Sequence, residues 1–324
     1  MLSNEYNKND SVELSVVIPC YNSVEAIEEL HERLVNTLSH ITKSYEIIYV
    51  NDCSSDDTIQ KINEIASVDG RVIAVDLMFN VGQFRAVMCG LDLSKGNYVI
   101  TMDDDLQHPP EEIRKLYSEI KNNDYLDAVI GSFEKKKHSF FRNIGTAIVR
   151  KTMKHRLYSR DSIHKTSAFR CLNRPLVNSI IQYKAMFPSI GSLIRRSTSR
   201  IQCVVVEHHE RKFGKSNYSI TKLLRLYLNL VINYTALPLR IVSAAGVVLS
   251  MIGFFLALFY TFRFFLSPVS VPGWTTLVVM LNFYSGLLLL SIGIVGEYLL
   301  RILQQVSGYP RYIIRTIKCK ESIN

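Results

Sequence analysis

Apolar residues recur in short blocks over the first 130 positions and in long blocks toward the end. Residues 13–18, 45–50, 72–77, 98–102 and 127–130 are short, rich in Val, Ile and Tyr, and read as strands. Between them, residues 24–38 place Ile27, Leu30, Leu34 and Leu38 at helical spacing, and 58–66 and 83–93 read as two further helices. Pro109 and Pro110 open another helix that runs to Ile120, at a helix start where a missing N–H costs little. Regular alternation of strand and helix predicts an α/β fold, a mostly parallel sheet with helices on both faces. Beyond residue 140 the pattern predicts a helix over 141–154, a strand over 201–207 and an amphipathic helix over 220–234 lying along a membrane surface.

The later blocks are different. Residues 241–262 hold neither charge nor proline, and 275–295 are again uncharged. At about 1.5 Å per residue, each run is long enough to cross a hydrocarbon layer roughly 30 Å thick. Basic residues flank the pair (Lys222, Arg225 and Arg240 before it; Arg301, Arg311, Arg315, Lys318 and Lys320 after it), while Arg263 and Trp274 sit between the two runs. The excess of basic residues on the outer flanks predicts that both lie in the cytoplasm. The expected organisation is a polar segment over 1–12, an α/β domain over 13–218, a juxtamembrane helix over 219–240, two membrane helices over 241–300 and a basic cytoplasmic tail over 301–324.

Composition adds little. Apolar residues are 48% of the 324, and the formal charge is +9. With acidic residues plentiful and no long Lys/Arg run, the basic excess fits a membrane surface or a phosphorylated ligand rather than nucleic acid. Six scattered cysteines show no zinc or disulfide spacing and read as reduced. The first residues lack the basic and apolar regions of a signal peptide, so the start of the chain is expected in the cytoplasm.

The polar residues that interrupt this pattern fall at the carboxyl ends of the predicted strands: Asn22, Asp52, Asn80, then Asp103 with Asp105. In parallel sheets that is where ligands bind. Asp103-Asp104-Asp105-Leu106-Gln107 concentrates three carboxylates, a costly arrangement unless a cation binds. Asp103, Asp105 and the amide oxygen of Gln107 form a hard oxygen set suited to Mg²⁺ or Mn²⁺. An acidic turn capping the next helix is the alternative for Asp104 and Glu111. His208-His209 has no acidic partner placed nearby and reads as one inward and one outward strand residue.

The segment from Asp103 to Glu111 resembles the DxDLQ(H/N)PPE motif of the family 2 glycosyltransferases that act on polyprenyl phosphates, the group of the dolichol-phosphate mannosyltransferases and the GtrB- and ArnC-type enzymes. In the same order, Val16 to Asn22 resembles the family's first-strand motif, Val50 to Asp56 its VDDGSSD, and Asn80 to Gln83 its NxGQ/K. Arg211 to Tyr218 resembles its RxxGxSKY loop, Ala236 to Arg240 the entry to the first span, and Gly296 to Arg301 the end of the second. The resemblance implies a GT-A domain followed by two transmembrane helices, and inverting transfer from a nucleotide sugar, expected to be UDP-linked, to undecaprenyl phosphate at the bacterial inner membrane. It implies a homo-oligomer, a tetramer in relatives. Pro19, Tyr21, Asn22, Asp52, Asn80, Gln83 and Asp104 would bind the nucleotide sugar, with Asp52 on the base. Asp103, Asp105 and Gln107 would hold the metal, and Arg211, Lys215 and Ser216 would bind phosphate, with Asp103, Asp105 and Arg211 carrying catalysis. Four positions depart from the pattern: Ser23 replaces an acid, Asn51 and Cys53 replace Asp and Gly, and Asn217 replaces Lys. The nearest acid before the Phe169-Arg170 pair is Asp161, out of register for a base. The absence of a QxxRW motif sets the chain apart from processive synthases. An inactive membrane scaffold with the same fold is the rival class.

Overall fold

The computed structural model describes residues 12–132, 167–183, 189–209, 273–306 and 310–319, with scattered helical positions between 242 and 262. The predicted helices at 141–154 and 220–234 lie outside them, as does most of the first apolar run. The chain divides into two compact units, 1–216 with 310–324, and 217–309.

In the first unit the alternation is realised nearly residue for residue: β1 (Leu14–Cys20), α1 (Val24–Ser39), β2 (Tyr45–Asn51), α2 (Thr58–Val68), β3 (Val72–Leu77), α3 (Gln83–Leu93) and β4 (Tyr98–Thr101). A 3₁₀ turn at Pro110–Glu112 leads into α4 (Ile113–Lys121), followed by β5 (Ala128–Ser132). The sequence pattern did not predict β6 (Arg170–Asn173), α5 (Arg174–Ile181) or α6 (Ile190–Ser197); β7 (Ile201–Val205) follows them.

The eight strands lie in the order β7-β5-β6-β4-β1-β2-β3-β8. β3, β2, β1 and β4 are mutually parallel, while β6 runs antiparallel between β4 and β5. Every residue of β1, β2 and β3 is buried, because helices cover both faces and no side chain meets water. Alternation divides them: Val16 and Ile18 join a core with Ile27, Leu30, Leu34 and Leu38 of α1, and Val17, Ile48 and Val50 join the opposite core with α3 and α5. Each fully buried aliphatic side chain contributes about 1.5–3 kcal/mol. Gly90 lets α3 approach β1 closely, since a Cβ there would stand 2.2 Å from Cγ1 of Val17.

The stretch expected to be a basic tail beyond residue 300 is instead ordered in two pieces. Helix α7 (Trp274–Val306) runs past it to Val306, and β8 (Ile314–Lys318) pairs antiparallel with β3. Charge suggested a solvated tail, but the β-branched Ile313, Ile314, Thr316 and Ile317 favour an extended strand, and β3 offered an open ladder.

In the second unit, α7 has 33 residues, with Glu297 and Arg301 its charged positions. Its described side chains are interrupted, and counted over the described residues alone no helix is long and apolar enough to cross a membrane. Many of those side chains are apolar and exposed, among them Leu288, Leu289, Ile292, Leu299 and Leu303.

Candidate functional site

The chain runs β1 to β2 to β3 outward on one side, then returns to place β4 on the other side of β1. Loops leaving the carboxyl ends of the adjacent parallel strands β1 and β4 therefore stand side by side and border the crevice where ligands usually lie in such sheets. Asn22 lies after β1 and Asp103, Asp104 and Asp105 after β4, on the two lips of that crevice.

The acidic turn leaves the strand at Thr101 and bends sharply, with Leu106 at φ 58°. Asp103 accepts a hydrogen bond from Nε2 of Gln83, the first residue of α3. Asp104 turns to the other lip, where it accepts from the Tyr21 amide at 3.3 Å and from the Ser23 hydroxyl. It therefore ties β1's loop to β4's, and does not cap the next helix. Ser23, where the family often has an acid, suits this role because a second carboxylate would repel Asp104. Asp105 is buried and accepts from the Gln107 amide at 3.2 Å. Glu111 pairs with Arg33 of α1 at 2.7 Å, away from the turn.

These carboxylates burden one another. Burial first, then the charges of Asp105 and Asp104, push Asp103 up to about 7. Burial pushes Asp104 up to about 6, against the hydrogen bonds from Ser23 and Tyr21. Arg170 is buried on β6, opposite Thr101 of β4, and donates from Nε to the Ser167 carbonyl at 2.6 Å. Its charge favours ionised Asp103, while burial draws its own value down to about 10. Burial holds His108, stacked on Phe169, down to about 4 and so neutral.

The second half of the crevice rests on Asp52. Its two oxygens accept from the Val81 and Gly82 amides at 2.7 and 2.9 Å, and Nδ2 of Asn80 donates to its carbonyl at 3.1 Å. Gly82, at φ +86°, sits where an L side chain is strained, which frees its amide to face Asp52. Burial raises Asp52 against those two bonds. Asn22, at φ 54°, accepts on Oδ1 from the Ser55 amide at 2.9 Å, so the loops after β1 and β2 are joined. Cys53 stands at φ 55°, the conformation that explains Gly at this position in the resembled pattern.

Pro19, Tyr21, Asn22, Asp52, Asn80, Gln83, Asp103, Asp104, Asp105 and Gln107 thus share one end of the sheet. Pro19 sits within β1 opposite Val50, and Tyr21 is exposed. Arg211, Lys215, Ser216 and Asp161 lie outside the described residues. His209, two positions before Arg211, donates its amide to the Gln107 carbonyl at 3.0 Å. His208 is half-buried and His209 exposed. Among the described residues, no group of three or more His, Cys, Asp and Glu is arranged to hold a metal ion; the expected set has two carboxylates and an amide. Sequence reasoning gave no site role to Asn51, Ser54, Asp76 or Arg170, the first, second and last of which it met only within motifs. A signal existed for Asp76, a single acid in an otherwise apolar strand.

These features define an α/β protein with a strongly acidic crevice at the switch point of a mostly parallel sheet. The chain belongs to Glycosyl transferase family 2, which matches residues 15–181, and is thereby a glycosyltransferase. It is 33% identical over 310 residues to an undecaprenyl-phosphate 4-deoxy-4-formamido-L-arabinose transferase of Proteus mirabilis, covering 94% of this chain and 93% of that one. It is 28% identical to an uncharacterized glycosyltransferase of Bacillus subtilis, covering 94% of each. A crystal structure of glucosyl-3-phosphoglycerate synthase from Mycobacterium tuberculosis superposes with a TM-score of 0.48 at 18% identity, over 68% of this chain and 78% of that one, a distance at which nothing about the site carries over.

Proposed function

We propose that this glycosyltransferase moves a sugar from a nucleotide donor, UDP-linked, to a polyprenyl phosphate such as undecaprenyl phosphate, with inversion, at the cytoplasmic face of a bacterial inner membrane. The observation that carries the reading is the acidic turn Asp103–Asp105 on one lip of the crevice, facing the loops of Asn22 and Asp52 on the other. The relatives' names support the acceptor.

A divalent cation, Mg²⁺ or Mn²⁺, fits this turn. The donors are hard oxygens, and the carboxylates are raised by burial and then by one another's charge, a burden that a cation relieves. Asp103 and Asp105 would hold it with Gln107, and when bound it would offset the charge of a leaving diphosphate. Gln83 orients Asp103, and Asp104 keeps the two lips of the crevice together. The acceptor phosphate has a second pKa of about 6, so it is already charged at neutral pH and needs no protein base.

Two membrane-crossing helices over 241–300 belong to the same reading. Helix α7 spans about 50 Å at 1.5 Å per residue, and its exposed apolar side chains form the kind of surface that meets lipid. The test is transfer. The purified full chain should convert undecaprenyl phosphate to a lipid-linked sugar with one member of a panel of labelled UDP-sugars, in a metal-dependent way that Asp103→Asn abolishes. No lipid product with any donor, despite metal-dependent UDP binding, would overturn the reading.

A further inference from the structure

The strand that returns after the 217–309 unit carries a side chain into the support of the donor crevice. Pairing of β3 with β8 is in register through Asp76↔Thr316 and resumes at Leu77↔Ile314, so Arg315 is the extra residue of a bulge. Bulges re-aim side chains. Arg315 is aimed at β3: Nη1 lies 3.4 Å from Oδ2 of Asp76, and Nη2 donates to the Met78 carbonyl at 3.1 Å.

From there each link dictates the next. Asp76 is buried, and its other oxygen accepts from Nδ2 of buried Asn51 at 2.7 Å. An ionised carboxylate accepts only, so the Asn51 amide must present nitrogen to Asp76 and oxygen away from it. That oxygen receives the Ser54 amide at 3.3 Å and the Ser54 hydroxyl at 2.5 Å. With its one proton committed, the Ser54 hydroxyl oxygen accepts from the Asn22 amide at 3.0 Å. Asn22 in turn receives Ser55. The chain of bonds runs without a reversible link from β8 to the lip of the crevice.

We infer that Arg315 is a positioning residue for the nucleotide donor, acting through Asp76, Asn51 and Ser54 on the loop of Asn22. This rests on the donor reading above. Asn51, where the resembled motif has Asp, is the element that makes the relay directional, since an acid there would face Asp76 with like charge.

The experiment uses the full chain in detergent. Amide exchange without ligand should show Ser54 and Ser55 opening at least about fivefold faster in Arg315→Gln, a coupling of the size expected through a contiguous network. Tyr312→Phe removes a bond on the same returning segment, from its hydroxyl to Asp92 at 2.7 Å, without touching the relay, and should leave those amides unchanged. UDP with Mn²⁺ should bind about five- to tenfold more weakly to Arg315→Gln, and equally so to Ser54→Ala, with the double variant no weaker than either single one, as a shared network requires. Arg315→Lys should recover part of the loss. Equal effects of Arg315→Gln and Tyr312→Phe, or additive losses in the double variant, would overturn the relay. If the wild type binds no UDP, the donor reading fails, while the exchange comparison still decides the relay.

Discussion

Without a divalent cation the protein should be pH-sensitive in a defined direction. Asp103 titrates at about 7 in the fold against an ordinary 3.8, so between those values the folded state holds a proton that the unfolded chain has lost. Its contribution to stability is fully present below about 4 and is lost as pH rises through 7. Three units correspond to about 4 kcal/mol, and solvent reaching a half-buried carboxylate reduces this to about 2 kcal/mol. Asp104 titrates with it as one coupled group and is not added. Between pH 5 and pH 8 only about two of those three units are crossed, so about 1.3 kcal/mol is lost and the melting temperature of a unit this size falls by roughly 3–5 °C. With saturating Mn²⁺ the carboxylate charge is compensated and the fall should vanish. The assay is thermal unfolding of the full chain, followed by circular dichroism in EDTA and in Mn²⁺ at each pH. Asp103→Asn should flatten the EDTA profile. Stabilisation by Mn²⁺ that is equal at pH 5 and pH 8, or an unflattened Asp103→Asn profile, would refute the assignment of this carboxylate to the cation.

Other outcomes follow from local geometry. Cys53→Gly should relieve a left-handed L residue and raise stability by about 1 kcal/mol despite losing a thiol contact to Met78, readable as a melting temperature about 2–4 °C higher. Gly90→Ala should cost about 1–3 kcal/mol, because its Cβ would be driven into Val17 of β1; chemical denaturation measures it. Asp52→Asn can serve only one of the Val81 and Gly82 amides as acceptor, and should weaken UDP binding in calorimetry by roughly tenfold, about 1.4 kcal/mol.

The parallel half of the sheet was legible because burial on both faces demands unbroken apolar runs, and β1 to β4 have them. The positions of Asn22, Asp52, Asn80 and Asp103 were legible for the same reason: polar residues stand out where such runs stop. What each side chain does was less legible. The three carboxylates stand adjacent in sequence, yet Asp103 turns to Gln83 and Asp104 to Ser23, a division set by neighbours 20 and 81 residues away. Helices α5 and α6 were missed because each is eight residues long, too short for a period to declare itself. Strand β8 was read as a tail because Arg315 and Lys318 look solvated, and nothing local announces that β3 has an open edge.

That strand also constrains the chain between. Strands β1 to β7 and β8 belong to one sheet, so the chain that leaves it after β7 must come back to it by residue 314. A segment passing through a bilayer an odd number of times would deliver β8 to the wrong compartment, and the sheet would never close. Cutting the protein at residue 216 would remove β8 along with helix α7, leaving the amides and carbonyls of β3 open to other chains. A shortened version must splice residues 310–319 back onto β3.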